Sequence, residues 1–210
     1  RRVQLIEEPI AAAIGAGLPI SEATGSMIVD IGGGTTEIAV MSLGGVVFSK
    51  SLRVAGDAMD AGIISYMRKK FNLLIGESTA EKIKKEIGTA IPTSNNVFLM
   101  KGRDIRTGTP KEISLTEEDA CEALMPILNQ MLAAIKEALE STPPELSADL
   151  VDMGLVLTGG GALLKNIDKL ISKDTGLPVT IADNPLECVA LGTGKALENE
   201  ELFSTMLSEY

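Results

Sequence analysis

The residues with the clearest chemical potential stand in two glycine triplets. Asp30-Ile31-Gly32-Gly33-Gly34-Thr35-Thr36 follows the apolar run Met27-Ile28-Val29, and Thr158-Gly159-Gly160-Gly161-Ala162 follows Leu155-Val156-Leu157. Three glycines leave no Cβ in the way, so backbone N–H groups can close on an anion or a flat ring can lie against the main chain. Asp30 at a strand end can hold hydrated Mg²⁺ through water, because Mg²⁺ keeps most of its water shell and takes one or two carboxylates plus phosphate. Thr35 and Thr36 add hydroxyls for phosphate or water. A glycine triplet alone equally suits a tight hairpin; the acid, the hydroxyls and the second triplet favour a phosphate–metal site. Glu8 is the candidate to orient an attacking water, since phosphoryl transfer depends on positioning and charge compensation. By itself it is also an ordinary first-turn acid at a helix start. Glu81, Lys84 and Lys85 share one helical turn and could clamp a base and ribose, or form a solvated face. Neither the G-x-G-x-x-G spacing nor a Walker A loop is present.

Composition narrows the chemistry. The 210 residues contain no histidine, which excludes Ser-His-Asp and Cys-His catalysis and His-ligated metals. A net charge of −10 argues against sequence-independent nucleic-acid binding. No apolar run reaches the roughly 20 residues that span a bilayer. Cys121 and Cys188 lack CxxC spacing and read as reduced thiols of a cytoplasmic protein.

The elements that must position these residues follow from periodicity and punctuation. Val3–Ile6 reads as a strand, and Glu8-Pro9 opens a helix with Pro in its first turn. Strands are expected at Ser26–Ile31, Thr36–Met41 and Val46–Leu52, the last two joined through Gly44-Gly45. A helix runs from Asp57 or Asp60 to Phe71, and another starts at Ser78-Thr79-Ala80-Glu81. A small hairpin is expected around Arg103–Thr109. Leu115 to Asp119 then caps a long helix to Leu139, which Pro126 kinks or restarts. Pro143-Pro144 breaks the chain. Strand Leu155–Thr158, helix Ala162–Ser172, strand Val179–Ile181 and helix Pro185–Lys195 complete an α/β pattern.

Glu7-Glu8-Pro9 with Ala11 to Gly15, Asp30 to Thr36, Ala55-Gly56-Asp57, Leu157 to Ala162 and Asn184 to Gly192 together resemble the actin, sugar-kinase and heat-shock-chaperone ATPase superfamily. Ile6 to Pro9, Val29 to Glu37 and Ile75 to Lys84 are similar to the bacterial rod-shape actin homologues of the MreB family within it. The resemblance implies an actin-like (ribonuclease H-like) α/β ATPase fold with an inserted smaller α+β subdomain. Residues 1–25 would be the tail of a first domain, 26–71 plus 146–210 the larger part of a second, and 72–145 the insertion. It implies ATP and Mg²⁺ as cofactors, with hydrolysis. Glu8 and Thr35 would be catalytic, and Asp30 would face the metal through water. Gly32, Gly33, Gly34, Thr35 and Thr36 would form a phosphate loop. Gly56 and Asp57 would sit near phosphate or ribose, Glu81, Lys84 and Lys85 beside the adenosine, and Gly159, Gly160 and Gly161 would be the adenosine loop.

It further implies self-association into filaments and work with cell-wall synthesis and division proteins to maintain rod shape. Family members carry an Asp-x-Gly phosphate loop and most of a first domain ahead of the residues seen here. The chain is therefore expected to be a C-terminal portion holding about half of the site, with weak or no nucleotide binding and no turnover alone. Membrane contact is expected through the missing N-terminal part, and no nucleic acid. A chaperone-type ATPase of the same fold and a non-catalytic actin-like scaffold are the alternatives; intact Glu8 and Asp30 speak against the scaffold.

Overall fold

A computed structural model describes residues 3–209. A five-stranded sheet forms the centre, with strand order β4-β3-β2-β8-β9. Here β2 is Ser26–Ile31, β3 Thr36–Ser42, β4 Gly45–Leu52, β8 Leu155–Thr158 and β9 Val179–Ile181. β2, β8 and β9 run parallel, while β3 and β4 return antiparallel. β2 is buried along its whole length, as a strand covered on both faces must be. Its side chains alternate between two cores. Met27, Val29 and Ile31 join Ile38, Val40, Leu155 and Leu157 on one face; Ile28 joins Ala39 and Met41 on the other.

Helices α1 (Glu8–Ala16) and α7 (Cys188–Glu198) cover the second face. They cross with almost no space between backbones. A Cβ on Gly15 would lie 2.6 Å from the Cys188 carbonyl carbon, and one on Gly192 2.6 Å from that of Ala11. The first face carries α2 (Gly56–Phe71), α4 (Glu117–Glu140) and α6 (Ile167–Thr175). Helix α3 (Glu77–Ile87) and a three-stranded sheet of β5 (Leu73–Leu74), β6 (Val97–Asp104) and β7 (Pro110–Thr116) extend from that layer. α4 serves both sheets: it touches β7 and α3, and also packs on β3 and β4, where Lys50 pairs with Glu137. Strand β1 (Gln4–Leu5) pairs with β10 (Ser208–Glu209). Among the described residues no helix is long and apolar enough to cross a membrane, and both cysteines are free and buried.

Several elements differ from expectation. The β3–β4 turn is Leu43-Gly44, not Gly44-Gly45: both have positive φ (52° and 73°), as a two-residue turn requires, and Ser42 pairs with Gly45. The Leu43 and Gly44 N–H groups donate to the carbonyls of Glu22 and Ile20, which anchors this leucine in the left-handed region. β5 was not visible in the sequence, because two residues carry no period. Pro126 neither restarts α4 nor ends it. It lies exposed, so water can reach the carbonyl one turn before it, and the Thr116–Asp119 capping box fixes the start at Glu117. After Pro143 the chain enters another helix, α5 (Pro144–Met153), with Pro at its start. The stretch from Gly160 to Leu163 is a 3₁₀ turn and α6 starts only at Ile167, because Leu164 is extended and Lys165 bridges to Thr89. α7 likewise starts at Cys188, after Pro185 accepts the Gly159 N–H.

Candidate functional site

The parallel register of β2 and β8 sets Asp30 beside Thr158, so both glycine loops leave the sheet side by side at its carboxyl edge. Crevices at that edge are where open α/β sheets bind ligands. Gly159 has φ 79° and ψ 171°, a region essentially closed to other residues. A Cβ there would overlap the Asp30 carboxylate and lie 2.7 Å from the Ile31 carbonyl carbon. A Cβ on Gly161 would lie 2.7 Å from Ile31 Cβ. The second triplet therefore serves close approach to the first strand, besides any role toward a ligand.

In the first loop the Gly32 N–H donates to the Thr35 carbonyl at 2.9 Å and closes a tight turn. Gly33 and Gly34 are exposed, and among the described residues nothing accepts from their N–H groups. The start of α2 is tied directly to this loop: Gly56 N–H donates to Gly32 O at 3.1 Å and Asp57 N–H to Gly33 O at 2.8 Å. Thr36 is fully buried and its hydroxyl donates to the Val54 carbonyl at 2.7 Å. That hydroxyl holds the β4–α2 connection and is not presented to the loop.

Asp30 is 6% exposed. Burial pushes its carboxyl above the usual carboxylate range, and the nearby charge of Glu8 pushes it further. The Thr158 hydroxyl offsets part of that rise, but it makes no hydrogen bond of normal geometry and is itself fully buried. Glu8, exposed at the first turn of α1, thus shares an electrostatic environment with Asp30. Besides Thr158, the side chains that act on Asp30 are the carboxylates Glu8 and Glu37, both of which raise its carboxyl. Cys188 also faces this carboxylate; burial and Asp30 push its thiol up.

On α3, Lys84 Nζ donates to Gly56 O at 3.0 Å and pairs with Asp60 at 2.8 Å. It thus joins α3 to the start of α2. Glu81 and Lys85 pair with each other at 2.6 Å on the exposed face. Glu8, Asp30, Gly32 to Thr35, Gly56, Asp57, Lys84 and Gly159 to Gly161 are thereby linked around one edge of the sheet, whereas Glu81 and Lys85 stand on its rim. Sequence reasoning missed Thr158, Asp60 and Cys188. Thr158 had a signal, as the last strand residue before the second triplet; the other two had none.

The MreB/Mbl protein family matches residues 1–205. The cell shape-determining protein MreB of Escherichia coli K12 is 55% identical over 199 residues, 94% of this chain and 57% of the relative. The cell shape-determining protein Mbl of Bacillus subtilis 168 is 46% identical, over 95% of this chain and 60% of the relative. The crystal structure of MreB 5 of Spiroplasma citri bound to AMPPNP superposes with a TM-score of 0.90 at 40% identity, covering 93% of this chain and 59% of that one. The chain therefore spans a little over half the length of the relatives it matches. With an actin-like fold and matching sequence along nearly its whole length, this chain belongs to the MreB/Mbl protein family.

Proposed function

We propose that this chain forms the second-domain side of an ATP site in a cytoplasmic, actin-like cell-shape filament protein. The observation that carries the reading is the pairing of two glycine loops at one sheet edge, with a buried carboxylate between them. The Spiroplasma citri relative is seen with AMPPNP and with ADP, which supports an adenine nucleotide here.

Gly33 and Gly34 offer N–H groups that are unpaired among the described residues to a phosphate, and a Cβ on Gly34 would meet nothing within 4 Å. Asp30, buried and near the carboxylates of Glu8 and Glu37, fits a hydrated Mg²⁺. When bound, Mg²⁺ would neutralise charge on the β- and γ-phosphate oxygens. In this reading Glu8, exposed at the first turn of α1, orients water toward the terminal phosphate, and the Thr35 carbonyl closes the phosphate loop by accepting from Gly32. Gly159 to Gly161 form a bare backbone platform on the adenosine side. We assign residues 26–71 and 146–210 to the larger unit and 72–145 to the inserted one, with α4 reaching both sheets. Filament assembly, partnership with cell-wall synthesis and division proteins, and membrane association belong to the whole protein and form part of this proposal.

Calorimetric titration of Mg-ATP tests the site. It is run on this chain and on the chain joined to the segment of the Escherichia coli relative that it does not cover. Binding confined to the joined chain is the expected result. Tight binding by the chain alone overturns the split-site reading, and no binding by either overturns the nucleotide reading. Sedimentation of the joined chain with and without ATP tests assembly: a pellet that ignores nucleotide refutes an ATP-linked filament.

A further inference from the structure

The two glycine loops are connected a second time, away from the sheet. After Gly159 the chain passes through the 3₁₀ turn, becomes extended at Leu164 and pairs at Lys165 with Thr89, just past the end of α3. Thr89 is fully buried, and its hydroxyl donates to Ile91 O at 2.7 Å and lies 3.2 Å from Lys165 O. Ala90 N–H donates to Lys165 O at 2.8 Å. Asn166 adopts φ 60°, a conformation that asparagine tolerates only at some cost. Its amide Nδ2 donates to Thr89 Oγ1 at 3.2 Å and to Ile91 O at 2.9 Å, which holds it there. Lys165 Nζ donates to Glu86 O at 2.8 Å, satisfying a carbonyl in the last turn of α3.

From this clasp the path runs back along α3 to Lys84, then to Gly56 O, and through Gly56 and Asp57 to Gly32 and Gly33. A hydrogen-bonded circuit thus closes from the second glycine loop to the first by way of α3. Sheet pairing fixes where the loops leave the sheet. The circuit fixes where their outer ends lie relative to α3.

We propose that Thr89, Lys165 and Asn166 are positioning residues: their clasp couples the 159–164 segment to α3 and holds the adenosine-side loop at its working distance from the phosphate-side loop. The consequence for ligand affinity rests on the nucleotide reading above; the coupling itself does not. Helix packing alone would leave residues 160–166 and 84–90 to open independently. The clasp makes them open together.

Two variants separate these cases. Asn166→Gly keeps the left-handed backbone and removes both amide bonds, and Thr89→Val removes the hydroxyl. Thr89→Ser is the conservative rescue. Hydrogen exchange on this chain should quicken about tenfold in both residues 160–166 and residues 84–90 for the first two variants, and return to the parent rate with Thr89→Ser. Faster exchange on one side only overturns the coupling. In whichever chain binds Mg-ATP, the same variants should weaken ATP about tenfold and leave inorganic tripolyphosphate unchanged, because the phosphate loop is untouched. Unchanged ATP affinity, or an equal loss for both ligands, overturns the positioning role. Absence of ATP binding in the parent overturns the nucleotide reading instead, and hydrogen exchange still decides the clasp.

Discussion

Replacing Gly192 by Ala should destabilise the protein, although glycine to alanine inside a helix ordinarily stabilises by about 1 kcal/mol. The reversal comes from the α1–α7 crossing. The new Cβ would overlap the Ala11 carbonyl oxygen, sit 2.6 Å from its carbon and 2.9 Å from Gly15 N. Those atoms are helix backbone, which cannot rotate aside as a side chain does. An ordinary carbon–carbon contact needs about 3.5 Å, so the helices must part by roughly 1 Å. Overpacking of this kind costs about 1–3 kcal/mol, and a gap of that size also forfeits about a quarter to a half of the dispersion across the crossing. After subtraction of the helix-propensity gain, a net loss of about 2 kcal/mol is expected. Urea unfolding followed by circular dichroism should show the midpoint falling by about 0.7–1 M, for a slope of about 2–3 kcal/mol/M that itself stays constant. Gly194→Ala is the internal control: it lies in the same helix with nothing within 4 Å of its Cβ, and should stabilise by about 0.5–1 kcal/mol. A neutral or stabilising Gly192→Ala would refute the close-crossing argument. Because α1 carries Glu8 and α7 begins at Cys188 beside Asp30, the same variant should also weaken Mg-ATP binding.

Asp30→Asn should raise stability at neutral pH while abolishing Mg²⁺-dependent nucleotide binding. The folded-state carboxyl is held above its ordinary value of 3.8. The penalty is therefore absent below that pH, grows as pH rises toward the folded value, and is full above it; thermal midpoints that differ equally at all pH values would contradict this. Gly159→Ala should cost about 2–5 kcal/mol, from the glycine-only backbone region and from overlap with the β2 terminus, and a midpoint within error of the parent would be decisive against it. Buried Glu117 accepts from the Thr93 and Ser94 N–H groups, which hold its carboxyl below the ordinary 4.5. Its contribution is complete above that pH and is lost as pH falls through the lowered folded value. The stability gap between parent and Glu117→Gln should therefore narrow as pH falls below 4.5, measured by urea midpoints.

Much of the local structure was legible because its signals are local. Pro9 after Glu8, the apolar run Met27 to Val29, the cap that ends at Asp119 and the spacing of Ile63, Met67 and Phe71 each report on backbone within a few residues. The misplacements share a cause. α6 starts late because Lys165 and Asn166 answer to Thr89, far away in sequence. The hairpin turn falls on Leu43 because Glu22 O accepts its N–H and Ile20 O accepts that of Gly44. Pro126 stays inside a helix because packing on two sheets outweighs the one lost bond. Gly15 and Gly192 carried no local signal of the close α1–α7 crossing, which only the packed helices show.

The sequence by itself determined the types of the chemical groups and their places at the ends of elements: an acid and two glycine triplets after apolar strands, and a glutamate at a helix start. Tertiary structure alone decided that the two triplets lie next to each other. That depends on the parallel register of Asp30 with Thr158, between strands separated by more than 100 residues of chain. It also decided that Asp30 is buried near Glu8 with its carboxyl pushed above the usual carboxylate range, that the Thr36 hydroxyl is spent on Val54, and that Lys84 bridges to the start of α2. Proton affinity, hydrogen-bond partners and close approach are properties of neighbours in space, and pairing register and helix crossing set those neighbours.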